Sequence, residues 1–131
     1  MSDQMLTILV VEDNPDTQTL LRYMLKKDFD VAFTSLVDEA LDLATKRAFD
    51  LFILDINLGE ERTGLDLLAL LRERPSYADA PALALTAYAM PGDRDRFLQA
   101  GFDGYISKPF TRRELLGAID VLLGEKARRA G

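Results

Sequence analysis

The chain contains no histidine and no cysteine. Without histidine, the Ser-His-Asp and Cys-His designs are excluded, together with most zinc sites. Without cysteine there is no disulfide framework, no thiolate metal site and no cysteine nucleophile. Positive charge is scarce as well: 16 basic residues face 22 acidic ones, a net charge of -6. A nucleic-acid-binding surface needs a basic patch, so no nucleic-acid partner is expected. No apolar run approaches the length of a membrane span, and no membrane partner is expected. The opening residues Met1-Ser2-Asp3-Gln4 carry no positive n-region, so no signal peptide is expected. Internal repeats, low-complexity segments and a linker to a second domain are missing too. What is left is an expectation of one soluble, cytoplasmic domain of 131 residues, with 48% hydrophobic and 29% charged residues. Any chemistry must use carboxylates, hydroxyls and lysine.

The chain is organised around Asp50-Leu51-Phe52-Ile53-Leu54-Asp55. A short unbroken apolar run suits a strand buried on both faces of a parallel sheet. Its terminal acid, Asp55, then lies at the carboxyl edge, where open α/β sheets bind ligands. The alternative is that Asp55 is a turn residue or helix cap. The other elements follow in order. Leu6–Val11 reads as the first strand, closed by Glu12-Asp13. Asn14-Pro15 reads as an N-cap and a first helical position, ahead of Leu20, Leu21, Met24 and Leu25. Val31–Thr34 reads as the second strand, and Ser35 as the cap of a helix with Val37, Ala40, Leu41 and Ala44 on its apolar face. Gly59 and Gly64 frame a charged loop before a helix from Leu65 to Leu71 that stops short of Pro75. Propensity favours a helix for Ala80–Thr86, but Pro81 and the alternation of elements favour a fourth strand. Met90–Ala100 reads as a helix opened by Pro91-Gly92 and closed by Gly101. Gly104–Ser107 is the fifth strand. Thr111 caps a last helix using Leu115, Leu116, Ile119 and Leu122. Residues 125–131 read as a short, frayed charged tail. Strand followed by helix, five times, predicts an α/β fold: a doubly wound five-stranded parallel sheet of flavodoxin-like order 2-1-3-4-5, with helices on both faces.

In that fold the strand ends share one edge. They bring together Glu12-Asp13, Asp55, Thr86 and Ser107-Lys108-Pro109. Three close carboxylates repel, and without a metal at least one pKa must rise. A hard divalent cation relieves this, and oxygen-only ligands suit Mg²⁺. An Asp beside Mg²⁺ and a lysine can accept a phosphoryl group, with a hydroxyl donating to its oxygens. Singly, each residue has a plainer explanation: Glu12-Asp13 a turn, Thr86 a strand-end cap, Lys108 a solvated charge. Their joint placement at four strand ends is much harder to explain that way.

These residues resemble a known family. Val10-Val11-Glu12-Asp13-Asn14, Asp55 after its apolar strand, Gly64, Thr86-Ala87 and Tyr105-Ile106-Ser107-Lys108-Pro109-Phe110 match the response-regulator receiver domain of two-component signalling. The likeness runs from about Leu6 to about Leu123, the core of a single receiver domain over 1–131. It implies Asp55 as phosphoacceptor, with Asp13 and Asp55 ligating Mg²⁺ directly, Glu12 acting through water and Asn57 offering its backbone carbonyl. It also implies that Lys108 contacts the phosphoryl group, that Thr86 donates its hydroxyl, and that Tyr105 changes rotamer with Thr86. A cis Lys108–Pro109 bond is usual in the family. The implied partners are a histidine kinase or His-phosphotransfer protein and a downstream protein target. The kinase side is expected near Pro15, Asp16, Thr17 and Leu21, with Pro109 and Phe110 close by, unless Leu21 and Phe110 are simply core. The chain reads as a stand-alone regulator without an output domain, signalling by binding a partner or by relaying phosphate. It reads as a signalling domain and not an enzyme beyond self-catalysed phosphorylation and dephosphorylation. It departs from many relatives at the loop 56–64, where Gly59 stands in place of a proline and one extra residue precedes Gly64. Two other readings compete. One is a phosphatase of the haloacid dehalogenase type, whose nucleophile usually closes the first strand. The other is a phosphorylation-independent interaction module of the same fold.

Overall fold

The computed structural model describes residues 5–87 and 90–130, with side chains described as far as Gly124. Met1–Gln4, where a signal peptide was not expected, and Gly131 at the end of the predicted tail lie outside the described residues. The elements in order are β1 (Thr7–Val11), α1 (Pro15–Leu25), β2 (Asp30–Thr34), α2 (Val37–Lys46), β3 (Leu51–Asp55), α3 (Gly64–Arg72), a 3-10 turn (Pro75–Tyr77), β4 (Ala82–Thr86), α4 (Asp93–Gln99), β5 (Gly104–Ser107) and α5 (Arg112–Ala130). The strands form one parallel sheet in the order β2-β1-β3-β4-β5, as the alternation of elements predicts.

Side chains alternate faces along a strand, and here both faces are covered. Leu9, Val11, Phe52, Leu54, Ala82 and Ala84 face the core built with α2, α3 and α4. Ile8, Val10, Leu51, Ile53, Leu83 and Leu85 face the core built with α1 and α5. Hence the apolar runs are unbroken. β4 shows why its helix-forming composition lost: all five of its residues are buried, and it pairs with β3 and β5 on either side. Burial between two strands and two helical layers overrides a propensity difference of at most about 0.7 kcal/mol per residue. Pro81 sits just before the strand, where its missing N–H costs nothing, and its carbonyl accepts the Phe52 N–H.

Several boundaries differ from the sequence reading. Leu20 is 43% exposed, at the margin of α1's apolar stripe, while Leu21, Met24 and Leu25 are buried. Ser35 does not cap α2; the N-cap is Leu36, which has no side-chain cap bond, and the Val37 N–H is taken by the Glu60 carboxylate at 3.1 Å. α3 opens with a capping box in which Thr63 and Asp66 satisfy each other's backbone N–H groups. α4 starts at Asp93, not Met90, because Gly92 adopts φ +88, which no right-handed helix accommodates. α5 continues to Ala130 through the stretch read as a tail. Glu, Lys, Ala and Arg are good helix formers, and no proline between 112 and 130 interrupts the helix, which absorbs the cost of Gly117 and Gly124.

Phe52 is fully buried at the centre of the sheet, with the Tyr77 ring edge-on at 4.9 Å. Phe52→Ala should lower the unfolding free energy by about 3–5 kcal/mol in urea denaturation, since neighbouring strands cannot collapse into the space. A loss below ~1 kcal/mol would mean the core relaxes around this position.

Candidate functional site at the carboxyl edge of the sheet

The site begins where β1 stops. Asn14 leaves the strand as the N-cap of α1, its side-chain oxygen accepting the N–H groups of Asp16 at 2.8 Å and Thr17 at 3.1 Å. That tight turn leaves Glu12 and Asp13 at the sheet's edge. Their fates differ. Asp13 is exposed, whereas Glu12 is completely buried. Asp55 closes β3 and is 4% exposed. Parallel register sets Asp55 beside Leu85 and Thr86 beside Ser107, so the ends of β3, β4 and β5 are level. The Lys108 N–H donates to the Thr86 carbonyl at 2.7 Å, and the Lys108–Pro109 bond is cis.

Lys108 reaches back over the strand ends. Its ammonium lies 2.9 Å from Asp55 Oδ2 and 2.7 Å from Glu12 Oε1. Asp55 Oδ1 accepts the Asn57 N–H at 3.1 Å, and Glu12 Oε2 accepts the Asn14 N–H at 3.0 Å. Glu12 Oε1 is buried and is ion-paired with the Lys108 ammonium, with the Asp55 carboxylate also close by. Burial, and then the neighbouring Asp55 carboxylate, push the Glu12 pKa up to about 7, against the pull of Lys108 and Asn14. Burial opposes the charge on Lys108, but Asp55 and Glu12 outweigh it and its pKa is raised. One cation thus serves two buried carboxylates, with a third acid beside them.

Carboxylate oxygens of Glu12, Asp13 and Asp55 lie within 4.8 Å of one another. An octahedral Mg²⁺ with bonds of about 2.1 Å spaces its ligands up to about 4 Å apart, near the spacing of these oxygens, and a bridging water suits the more buried Glu12. The donors are all carboxylate oxygens, three acids against one lysine, and they fit a hard divalent cation. The loop after β3 completes the setting. Gly59 has φ +70, and a Cβ there would stand 2.9 Å from Asp13 Oδ2. A Cβ on Gly64 would collide with the Asp55 carbonyl oxygen.

The cleft over these groups has a volume of about 640 Å³ and is lined by Glu12, Asp13, Asp55, Asn57, Thr86 and Lys108. Met90, from the segment before α4, and Asp93 and Arg96 of α4 also line it, and sequence reasoning missed them because these segments only reach the site through the fold. A groove of about 650 Å³ lined by Arg22, Lys26, Phe29 and Phe33 has a similar volume, but its one acid, Asp30, is paired with Arg47. Tyr105 is not brought into the cleft. It is half-buried on β5, its ring 5.9 Å from that of Phe97, and it lines a shallow surface with Leu98 and Val121. Leu21 and Phe110, considered for the docking rim, are core residues; Pro15, Asp16 and Pro109 are exposed.

Known proteins similar to this chain are numerous. Residues 8–120 match the family described as the response regulator receiver domain. A polar-differentiation response regulator, DivK of Brucella ovis, is 34% identical over 120 residues, covering 91% of this chain and 97% of that one. The chemotaxis protein CheY4 of Vibrio cholerae superposes with a TM-score of 0.84 at 27% identity, over 90% of this chain and 98% of that one. The receiver domain of the sensor histidine kinase PA1611 of Pseudomonas aeruginosa, solved with a magnesium ion coordinated in its active site cleft, gives a TM-score of 0.82 at 33% identity, over 92% and 98% of the two chains. None of the helices among the described residues is long and apolar enough to cross a membrane. By its sequence, its strand order and its strand-end residues, the chain belongs to the response regulator receiver domain family.

Proposed function

We propose that this protein is a phosphoacceptor switch in the cytoplasm, taking a phosphoryl group onto Asp55 from a phosphohistidine on a kinase or phosphotransfer protein. The observation that carries this reading is the convergence of Glu12, Asp13 and Asp55 within 4.8 Å, with Lys108 bonded to Asp55. The magnesium ion in the Pseudomonas relative's cleft supports the same use of the acidic cluster here.

In the step itself, an Asp55 carboxylate oxygen attacks phosphorus. The P–N bond to the donor imidazole breaks, its electron pair stays on nitrogen, and an acyl phosphate remains on Asp55. Asp13, Asp55, Glu12 through water and the Asn57 carbonyl would hold Mg²⁺, which when bound offsets charge on the transferring phosphoryl oxygens. Lys108 already sits against Asp55 Oδ2 and would move with the new phosphoryl oxygens. The Asn57 N–H holds Asp55 Oδ1 and so fixes the carboxylate plane. Thr86, at the end of β4, would donate its hydroxyl to a phosphoryl oxygen. The protein is then a signalling domain whose output is a changed surface. As the Thr86 side chain shifts toward the phosphate, space opens under α4 and Tyr105 turns inward. A downstream target that prefers this form must, by linkage, favour the phosphorylated protein.

Incubation with Mg²⁺ and a small phosphodonor should add one phosphoryl group by intact mass, and Asp55→Asn should abolish it. Full labelling of Asp55→Asn would overturn the assignment. No labelling of the wild type, and no Mg²⁺ binding, would favour an interaction module independent of phosphorylation. Thr86→Ala should leave labelling largely intact but reduce the gain in target affinity on phosphorylation, a coupling of about 1–3 kcal/mol or roughly five- to 150-fold. An unchanged gain in both Thr86→Ala and Tyr105→Ala, measured by titration with the target, would put the switch elsewhere.

A further inference from the structure

The loop between β3 and α3 carries an anchor whose purpose the reading above does not use. Glu60 Oε2 accepts the Val37 N–H at 3.1 Å, so this loop residue caps α2, an element 23 residues earlier in the chain. Its other oxygen lies 3.6 Å from Arg62 Nε, and Arg62 in turn pairs with Asp38 in the first turn of α2 at 2.9 Å. On the near side, Leu58 is buried at 3% exposure and belongs to the same core as Val37. The residue between these two anchors is Gly59. Its N–H donates to the Asn57 side chain at 3.1 Å, and its α-carbon stands so close to Asp13 that an added Cβ would lie 2.9 Å from Oδ2.

Asp13 needs such support. It is the exposed member of the carboxylate cluster, and the ion pairs of Lys108 go to the other two members. Gly59 brings the loop backbone close beside Asp13 with no side chain to push the carboxylate away, and its position is fixed from both flanks, by Leu58 in the core and Glu60 on α2. We propose that Glu60 is a positioning residue for the metal site: by tying the loop to the N-terminus of α2 it holds Gly59 against Asp13 and thereby raises the affinity for Mg²⁺. The inference rests on the reading of Glu12, Asp13 and Asp55 as a Mg²⁺ site. It names α2 as the element through which that site is braced.

The test compares wild type, Glu60→Ala, Glu60→Gln and Arg62→Ala as full chains, by isothermal titration with Mg²⁺ and by amide hydrogen exchange without metal. Gln keeps an oxygen that can accept the Val37 N–H, whereas Ala does not. Arg62→Ala removes surface ion pairs but leaves the cap. Glu60→Ala should weaken Mg²⁺ roughly three- to tenfold, less than the 10- to 100-fold typical of a group touching a ligand directly. It should speed exchange of the Val37 amide. Glu60→Gln should retain most of the affinity, and Arg62→Ala should stay within about twofold of wild type. Phosphorylation of Glu60→Ala should be slowed at low Mg²⁺ and restored at saturating Mg²⁺. An affinity for Glu60→Ala equal to wild type would reduce Glu60 to a helix cap and overturn the inference. Equal weakening of Glu60→Ala and Glu60→Gln would also overturn it, since charge and not the contact would then set affinity. A wild-type protein that fails to bind Mg²⁺ at all would instead overturn the reading of the site itself.

Discussion

Two carboxylates, Glu12 and Asp55, are buried at the ends of adjacent strands, and one ammonium, that of Lys108, stands between them and water. Charges taken out of water are costly unless paired, and removing one partner of a buried pair leaves the other uncompensated. Here the pairing is incomplete by design of the chain: three acids converge on a single lysine. The deficit appears in Glu12, whose pKa rises to about 7, chiefly through burial. A site that lacks a positive charge is also a site that selects one. On the proposed function, a divalent cation and an incoming phosphoryl group would be complementary additions to the same place, the first against the acids and the second against the lysine and the cation.

The fold exists to hold that imbalance still. Alternate residues of each strand enter two separate cores, so the sheet cannot slip by one residue without turning both inside out. With the register fixed, the strand ends are fixed, and Glu12, Asp55 and Thr86 each follow the last apolar residue of β1, β3 and β4. Glycine then permits approaches that no side chain would. Gly64 passes the Asp55 carbonyl more closely than any other residue could, and Gly59, at φ +70, turns the loop beside the Asp13 carboxylate.

Much of this was legible in the sequence because it depends on local signals. The Leu51–Leu54 run announces a doubly covered strand, Asn14-Pro15 announces a helix start, and the acids, hydroxyl and lysine follow apolar runs at each end. What was not legible depends on partners distant in the chain. Ser35 looked like the cap of α2, but the acceptor came from Glu60, and no local pattern predicts a bond across 23 residues. Leu20 fits the helical period, yet its place at the margin of the stripe depends on how α1 sits on the sheet. The charged end of α5 has the composition of a solvated tail and of a solvated helix alike. Arg96 and Asp93 reach the cleft because α4 leans over it, which no spacing in the chain encodes.

The central claim is that the carboxylate cluster is a cation site completed from outside the chain. The most direct measurement is the melting temperature after treatment with a chelator, followed over a titration of added Mg²⁺, for wild type and Asp13→Asn. A ligand that binds only the folded state must raise the melting temperature as its concentration rises. The account predicts a rise for the wild type that continues with added Mg²⁺ and is largely lost in Asp13→Asn. A wild-type melting temperature indifferent to Mg²⁺, or an equal rise in both proteins, would contradict it.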